Sequence, residues 1–199
     1  MSEPPRKPPR SAMTVRDMIV ALGVLVLVVV VVGGATRGCS FSPGGPSVDP
    51  TGLPMVDAPA ELRALAPSVP FVVRVPAVPP GWRSNSVEQD RVDPADAVSG
   101  RAVRVGYLTP EGRYLRLVQS DGTEEALLAA ETGSTPVPAQ GTADVVGVTF
   151  VIYGVPDDEP IWIGTLDDVR VLITGSGSEA DFQALAGALL TGAALAAGG

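Results

Sequence analysis

The chain has 199 residues, with 14 Lys and Arg against 22 Asp and Glu, no histidine and one cysteine. The missing histidine excludes the commonest general base, His-activated nucleophiles and most zinc sites; a single cysteine excludes an intramolecular disulfide and paired-cysteine metal or redox centres. An apolar fraction of 45% supplies one core, while 23 glycines and 20 prolines predict that part of the chain is linker.

Residues 1–17 hold Pro4, Pro5, Pro8 and Pro9 among Arg6, Lys7, Arg10 and Arg16, against Glu3 and Asp17, a net of +2. Such a segment cannot build a core and is expected to be a basic cytoplasmic tail with affinity for anionic lipid headgroups. Residues 18–36 are nineteen positions without a charge, among them Val28, Val29, Val30, Val31 and Val32 in an unbroken row. As a helix they rise about 28 Å, against about 30 Å of bilayer hydrocarbon, so one transmembrane helix is expected. The remaining residues, 37–199, carry ten basic and twenty acidic side chains. Positive charge next to a span favours the cytoplasm, so the N-terminus is expected inside and the large C-terminal part outside. Gly33, Gly34 and Ala35 offer small residues to a signal peptidase, but the apolar run is long for a cleaved signal. Arg37 spoils a lipoprotein-type cut before Cys39, whose readings are lipidation, an intermolecular disulfide or no role at all.

Residues 37–60 contain Pro43, Gly44, Gly45, Pro46, Pro50, Gly52, Pro54 and Pro59, which predicts a spacer. An extracytoplasmic domain is expected over 61–192. It opens with a short helix from Glu61 to Ala66, stopped by Pro67, and a strand from Phe71 to Val75. Val103, Val105 and Tyr107 alternate with Arg104 and Gly106, then Thr109, Pro110, Glu111 and Gly112 have turn chemistry, and Tyr114 to Ser120 returns as the partner strand. Glu124 to Glu131 reads as a helix with acidic residues at its favourable end. Val145 to Tyr153 reads as one central strand. Ile161 to Ile163 and Val169 to Ile173 predict a second hairpin, with Asp167 and Asp168 at its turn. Ser178 and Asp181 have capping-box spacing, and Phe182, Leu185, Ala186, Leu189 and Leu190 recur on one helical face. Residues 193–199 are expected to be a flexible tail. The fold class is α+β: a mostly antiparallel sheet with the C-terminal amphipathic helix packed on one face.

Further motifs recur in a recognisable order: Pro80, Gly81, Trp82, Arg83, Ser84, Asn85 and Ser86, then Gly106 to Pro110, Gly112, Tyr114, Gln119 and Ser120. With Arg16, Asp17 and Met18 at the start of the apolar run and Thr174, Gly175 and Ser176 before the last helix, the chain resembles the actinobacterial membrane-anchored family called domain of unknown function 4245. The resemblance covers roughly residues 14–190. It implies a single-pass anchor with an exported domain, and it supplies no catalytic residues.

No catalytic, cofactor-binding or metal-ligating residue can be assigned from the sequence. Gly175, Ser176, Gly177 and Ser178 lack the spacing of a nucleophile elbow and read as a connection into a capped helix. Asp157, Asp158 and Glu159 face a second carboxylate pair, Asp167 and Asp168, from the opposite end of one hairpin. They are turn residues first and a glycosidase pair or a Ca²⁺ site only second. Trp82 and Trp162 read as core, although Trp82 with Asn85 and Ser86 could wall a polar groove. The acidic exported part disfavours nucleic acid. No cofactor is implied. The function favoured is a non-catalytic binding or docking module in the cell envelope, with an envelope protein or small ligand as partner. The alternative is a carboxylate-dependent extracytoplasmic hydrolase or carbohydrate-active enzyme.

Overall fold

In the computed structural model, residues 15–35, 55–92, 100–133, 136–154 and 158–198 are described, and the chain divides into two compact units, Met1–Val48 and Asp49–Gly199. The first unit contains helix α1, Val15–Ala35, 21 residues long. Among the described residues no helix is long and apolar enough to cross a membrane. A helix does occupy the run expected to span, but its side chains are described over residues 18–28 only. Those eleven residues rise about 16 Å, roughly half of a hydrocarbon core. Cys39 and most of the tail and linker lie outside the described residues.

The second unit is α+β. Its strands are β1 (Val73–Val75), β2 (Arg83–Val92), β3 (Gly100–Leu108), β4 (Tyr114–Ser120), β5 (Ala139–Val145), β6 (Val148–Tyr153), β7 (Ile161–Leu166), β8 (Val169–Gly175) and β9 (Ala193–Leu195). Its helices are α2 (Ala58–Leu65), α3 (Glu124–Thr132) and α4 (Glu179–Leu190). Seven strands form one sheet in the order β2-β3-β4-β8-β7-β6-β5, every neighbour antiparallel. Two meanders compose it. β2, β3 and β4 run out from one edge to the middle, α3 carries the chain to the far edge, and β5 to β8 return until β8 lies against β4. β1 and β9 pair separately as a two-stranded ribbon.

One face of the sheet carries the larger core. Val105, Leu117, Ile173, Trp162 and Phe150 form a single buried cluster with Leu62 of α2, Val73 and Val75 of β1, and Phe182, Leu185, Ala186 and Leu189 of α4. The stripe that the sequence placed on α4 is therefore buried together with the sheet. A buried amide fixes β1 there: Gln119 on β4, 1% exposed, accepts from the Arg74 N–H at 2.7 Å and donates to the Arg74 carbonyl at 2.9 Å. The guanidinium of Arg74 reaches the carbonyls of Leu190 and Gly192, where the helix macrodipole of α4 is negative. At the other end of α4, Ser178 and Asp181 form the expected capping box. The opposite face holds a smaller cluster, in which Val118, Leu172, Ile161 and Ile163 meet Ala126 and Leu127 of α3.

Several boundaries differ from expectation. α2 begins at Ala58, capped by the Asp57 side chain, so the linker ends earlier than residue 60. The apolar run from Val145 to Tyr153 is not one strand. Val146 (φ 49°) and Gly147 (φ 82°) turn the chain between β5 and β6. The tail expected to be flexible is in part a strand, because Ala193, Ala194 and Leu195 pair with β1, and the Gly198 N–H donates to the Val69 carbonyl at 3.1 Å. Its glycine matters to packing: a Cβ on Gly198 would stand 1.8 Å from the Pro67 carbonyl oxygen.

Candidate binding cleft

Antiparallel register places side chains that face one another across strands on the same side of a sheet. Reading across the strands, Ser86 pairs with Gly106, Gly106 with Arg116, Arg116 with Thr174, and Thr174 with Ile161. Ile161 belongs to the smaller core, so this row lies on the face that α3 covers. The helix lies over neighbouring rows, above Ala102, Val118, Leu172 and Ile163. Beside it the row turns polar.

Gly106 makes this possible by having no side chain. A Cβ there would meet Asn85 Oδ1 at 2.3 Å, Ser86 Oγ at 2.6 Å and Tyr114 Oη at 2.9 Å. Three polar atoms from β2 and β4 thus converge above one glycine of β3. Next in the row, Arg116 directs Nη2 to the Glu131 carboxylate, which is only 6% exposed at the end of α3. The other oxygen of Glu131 lies 3.8 Å from Nε of Arg104, and Arg104 donates to Asp90 at 2.7 Å. Two guanidinium groups therefore share one shielded carboxylate, which anchors α3 to the sheet by charge.

Arg116 has one donor, its Nε–H, that is both shielded from solvent and without an acceptor among the described residues. Its cross-strand neighbour Thr174 is 8% exposed, and its hydroxyl also forms no hydrogen bond among the described residues. Arg113 Nε likewise lacks a well-directed hydrogen bond, but it lies 2.9 Å from Asp181 Oδ2 in an ion pair. Arg116 and Thr174 open into a cleft of about 390 Å³ whose further walls include Glu131, Ile161, Asp158 and Glu159. A second cleft, of about 260 Å³, lies on the opposite face around Phe71, Arg74, Gln119, Asp121 and Asp167. Several of its polar groups are engaged: Gln119 with the Arg74 backbone, Asp121 with the Arg101 N–H, and Arg74 with α4 and, at 4.0 Å, with Asp167.

The two carboxylate groups flagged in the sequence do not come together. Asp158 and Glu159 line the Arg116 cleft, Asp167 and Asp168 line the other, and Asp157 lies outside the described residues. Among the described residues no group of three potential ligands is arranged to hold a metal ion. Trp162 is core, 2% exposed, with ring centroids 6.2 Å from Phe150 and 5.3 Å from Phe182. Trp82 is half-buried against Tyr107 and packs with the larger core rather than beside the polar row, so it does not wall a groove with Asn85 and Ser86, whose polar atoms close over Gly106 instead. At the far end of the row, the Tyr153 hydroxyl donates to Glu124 at 2.5 Å, and that bond pushes its pKa up to about 12, with burial adding to the effect. Arg116, Glu131 and Thr174 were not singled out from the sequence. The only available signal was alternation: Arg104 and Arg116 occupy the phase of β3 and β4 opposite to Val105 and Leu117.

The family of proteins of unknown function known as DUF4245 matches residues 10–189. The chain belongs to this family. No curated protein and no solved structure matches it. The DUF4245 match takes in α1, both meanders and nearly all of α4, so every residue of the Arg116 cleft lies within the family's span. The description of the family carries no activity.

Proposed function

We propose that this DUF4245 chain is a single-pass membrane protein whose acidic C-terminal domain stands outside the cytoplasmic membrane and acts as a non-catalytic binding or docking module of the cell envelope. The observation that carries the anchor is α1. Met18, Ile19, Val20, Leu22, Val24, Leu25, Val26, Leu27 and Val28 are all more than half exposed on one helix, so its surface is apolar on every side. A helix with that surface needs a non-aqueous surrounding, and the uncharged sequence continues to Thr36. Four basic residues before the run support an inward N-terminus.

A binding role is supported by the Arg116 cleft, whose described residues include no nucleophile paired with a base. The carboxylate-dependent hydrolase draws no support from the carboxylates, since the two groups line different clefts on opposite faces. Protease added to intact cells with an opened wall should remove everything beyond Arg37 and leave residues 1–17 protected. Affinity capture of the tagged chain from native membranes should then recover an envelope component. Protection of the C-terminal domain would overturn the orientation, and hydrolysis of a glycan by the purified chain would overturn the non-catalytic reading.

A further inference from the structure

We infer that β5 is an interface between copies: it pairs antiparallel with β5 of a second copy of this chain, so that two seven-stranded sheets run on as one across that edge. The inference goes beyond the binding reading and uses neither the Arg116 cleft nor α1. It starts from the unlike treatment of the two edge strands. An open edge offers unpaired N–H and C=O groups, and such edges are guarded with charge, bulges or cover. β2 has all three: Arg83, Glu88, Asp90 and Arg91 along its length, an irregularity between Ser84 and Ser86, and the Val56 N–H donated to the Ser84 carbonyl at 3.1 Å. β5 has one irregularity, between Ala139 and Gly141, beyond which Gly141 to Val145 pairs regularly with β6. Gly141, Thr142 and Asp144 are exposed. Val146 and Gly147 form a two-residue turn, so Val145 and Val148 exchange hydrogen bonds, and by alternation Ala143 and Gly141 also face β6. The backbone N–H and C=O of Thr142 and Asp144 therefore point away from the sheet. No hydrogen bond from elsewhere reaches these groups among the described residues.

The choice of a second copy rests on charge. Residues 37–199 carry ten basic and twenty acidic side chains, so most surfaces of two copies repel each other. Within residues 132–156, Asp144 is the only charged side chain. The β5–β6 hairpin is thus the seam where two acidic copies meet at least cost, and it gives a basic partner little to hold. Pairing about a two-fold axis at Ala143 sets Thr142 opposite Asp144 of the copy, and the symmetry repeats the contact. Both pairs bring outward backbone groups together, so each exchanges both of its hydrogen bonds. On the same face the threonine hydroxyl meets a carboxylate, and no acid stands directly opposite an acid. On the other face Ala143 meets its own copy with no bulk in the way.

The test is disulfide trapping of the full chain in detergent micelles at about 0.1 mM, which populates any pairing of micromolar strength, with Cys39→Ser removing the native thiol. Ala143→Cys places two thiols across the axis at a Cα separation of about 4.5 Å, within reach of a disulfide. Ala139→Cys lies on the same strand but falls about 27 Å from its copy in this register. Mild oxidation should give at least tenfold more covalent dimer from Ala143→Cys than from Ala139→Cys. Thr142→Pro removes an outward N–H and no bond to β6, a place where an edge strand tolerates proline. Thr142→Asp leaves the backbone alone and sets an acid opposite Asp144 of the copy. Each should lower the Ala143→Cys dimer about tenfold, because the two-fold axis removes every contact twice. Thermal melts of the single variants check the sheet itself, and should Thr142→Pro melt early, Thr142→Asp decides. Equal trapping of Ala139→Cys would reveal random collision and overturn the inference. No dimer from Ala143→Cys, or an undiminished one in Thr142→Asp, would overturn it as well. Capture of an envelope component on the same preparation judges the binding reading separately.

Discussion

The two faces of the seven-stranded sheet are finished in different ways. The face under α2, β1 and α4 is closed by apolar contact, with the buried amide of Gln119 engaged by the Arg74 backbone. The face under α3 is closed over only part of its area, and its helix is held by the charge cluster of Arg104, Arg116 and Glu131 as much as by Ala126 and Leu127. Apolar burial is non-directional and leaves no chemistry over, whereas a shared ion pair fixes geometry and can leave a donor free. The first face is therefore where stability resides. The second carries the cleft proposed to bind.

The sharpest way to break this contrast is to attack α4. Leu185 and Leu189 are fully buried, so Leu185→Ala or Leu189→Ala should each cost about 2–5 kcal/mol and the pair should leave the domain largely unfolded. Thermal melts read this directly, and the loss should be insensitive to salt. Glu131→Ala is the matching cut on the other face. It leaves two guanidinium groups without their shared partner and should cost about 1–3 kcal/mol. That loss should shrink in 1 M salt, where the Debye length is about 3 Å, because Arg116 is partly exposed. A salt-independent loss equal to that of the leucines would erase the distinction between the faces.

A smaller effect is expected at the capping box. Burial raises the pKa of Asp181, but hydrogen bonds from Ser178 and the nearby Arg113 outweigh it and hold the carboxyl below the ordinary carboxylate range. With the folded value lowered, the stabilisation is fully present above about pH 4 and is lost as pH falls through the folded value. Asp181→Asn should cost about 0.5–2 kcal/mol at neutral pH, and the variant should show a weaker decline between neutral and strongly acid conditions. Smallest, and of opposite sign, is Val146→Asn. A β-branched residue at φ 49° is strained and Val146 is 66% exposed, so asparagine should stabilise the domain by about 1 kcal/mol, visible as a small rise in Tm.

The elements that could be read in advance were those whose signal is local. The β3–β4 hairpin carries alternation and turn chemistry within twenty residues, and α4 carries both its cap and its stripe. β2 was missed because Arg83, Ser84, Asn85, Ser86, Glu88, Gln89 and Asp90 are polar, as suits an edge strand with little to bury. β5 was missed for the same reason at the other edge. The turn at Val146 was hidden by an apolar, β-branched residue standing where asparagine or glycine is usual. Of the cleft, Asp158 and Glu159 are legible in the sequence as carboxylates. Arg116, Glu131 and Thr174 meet only through the long-range pairing of β4 with β8 and the docking of α3, and no spacing along the chain encodes that.

Val73 pairs with Leu195, so the first strand of the domain has the last strand as its partner. A chain made from its N-terminus must hold Val73, Arg74 and Val75 without that partner until the whole seven-stranded sheet and α4 have emerged. The ribbon is thus a completion signal: closing so long a loop carries an entropic cost that only the finished sheet, through the Gln119 amide, is in place to offset. A product cut short anywhere before Gly192 would leave β1 with one open side, an unpaired edge within reach of proteases.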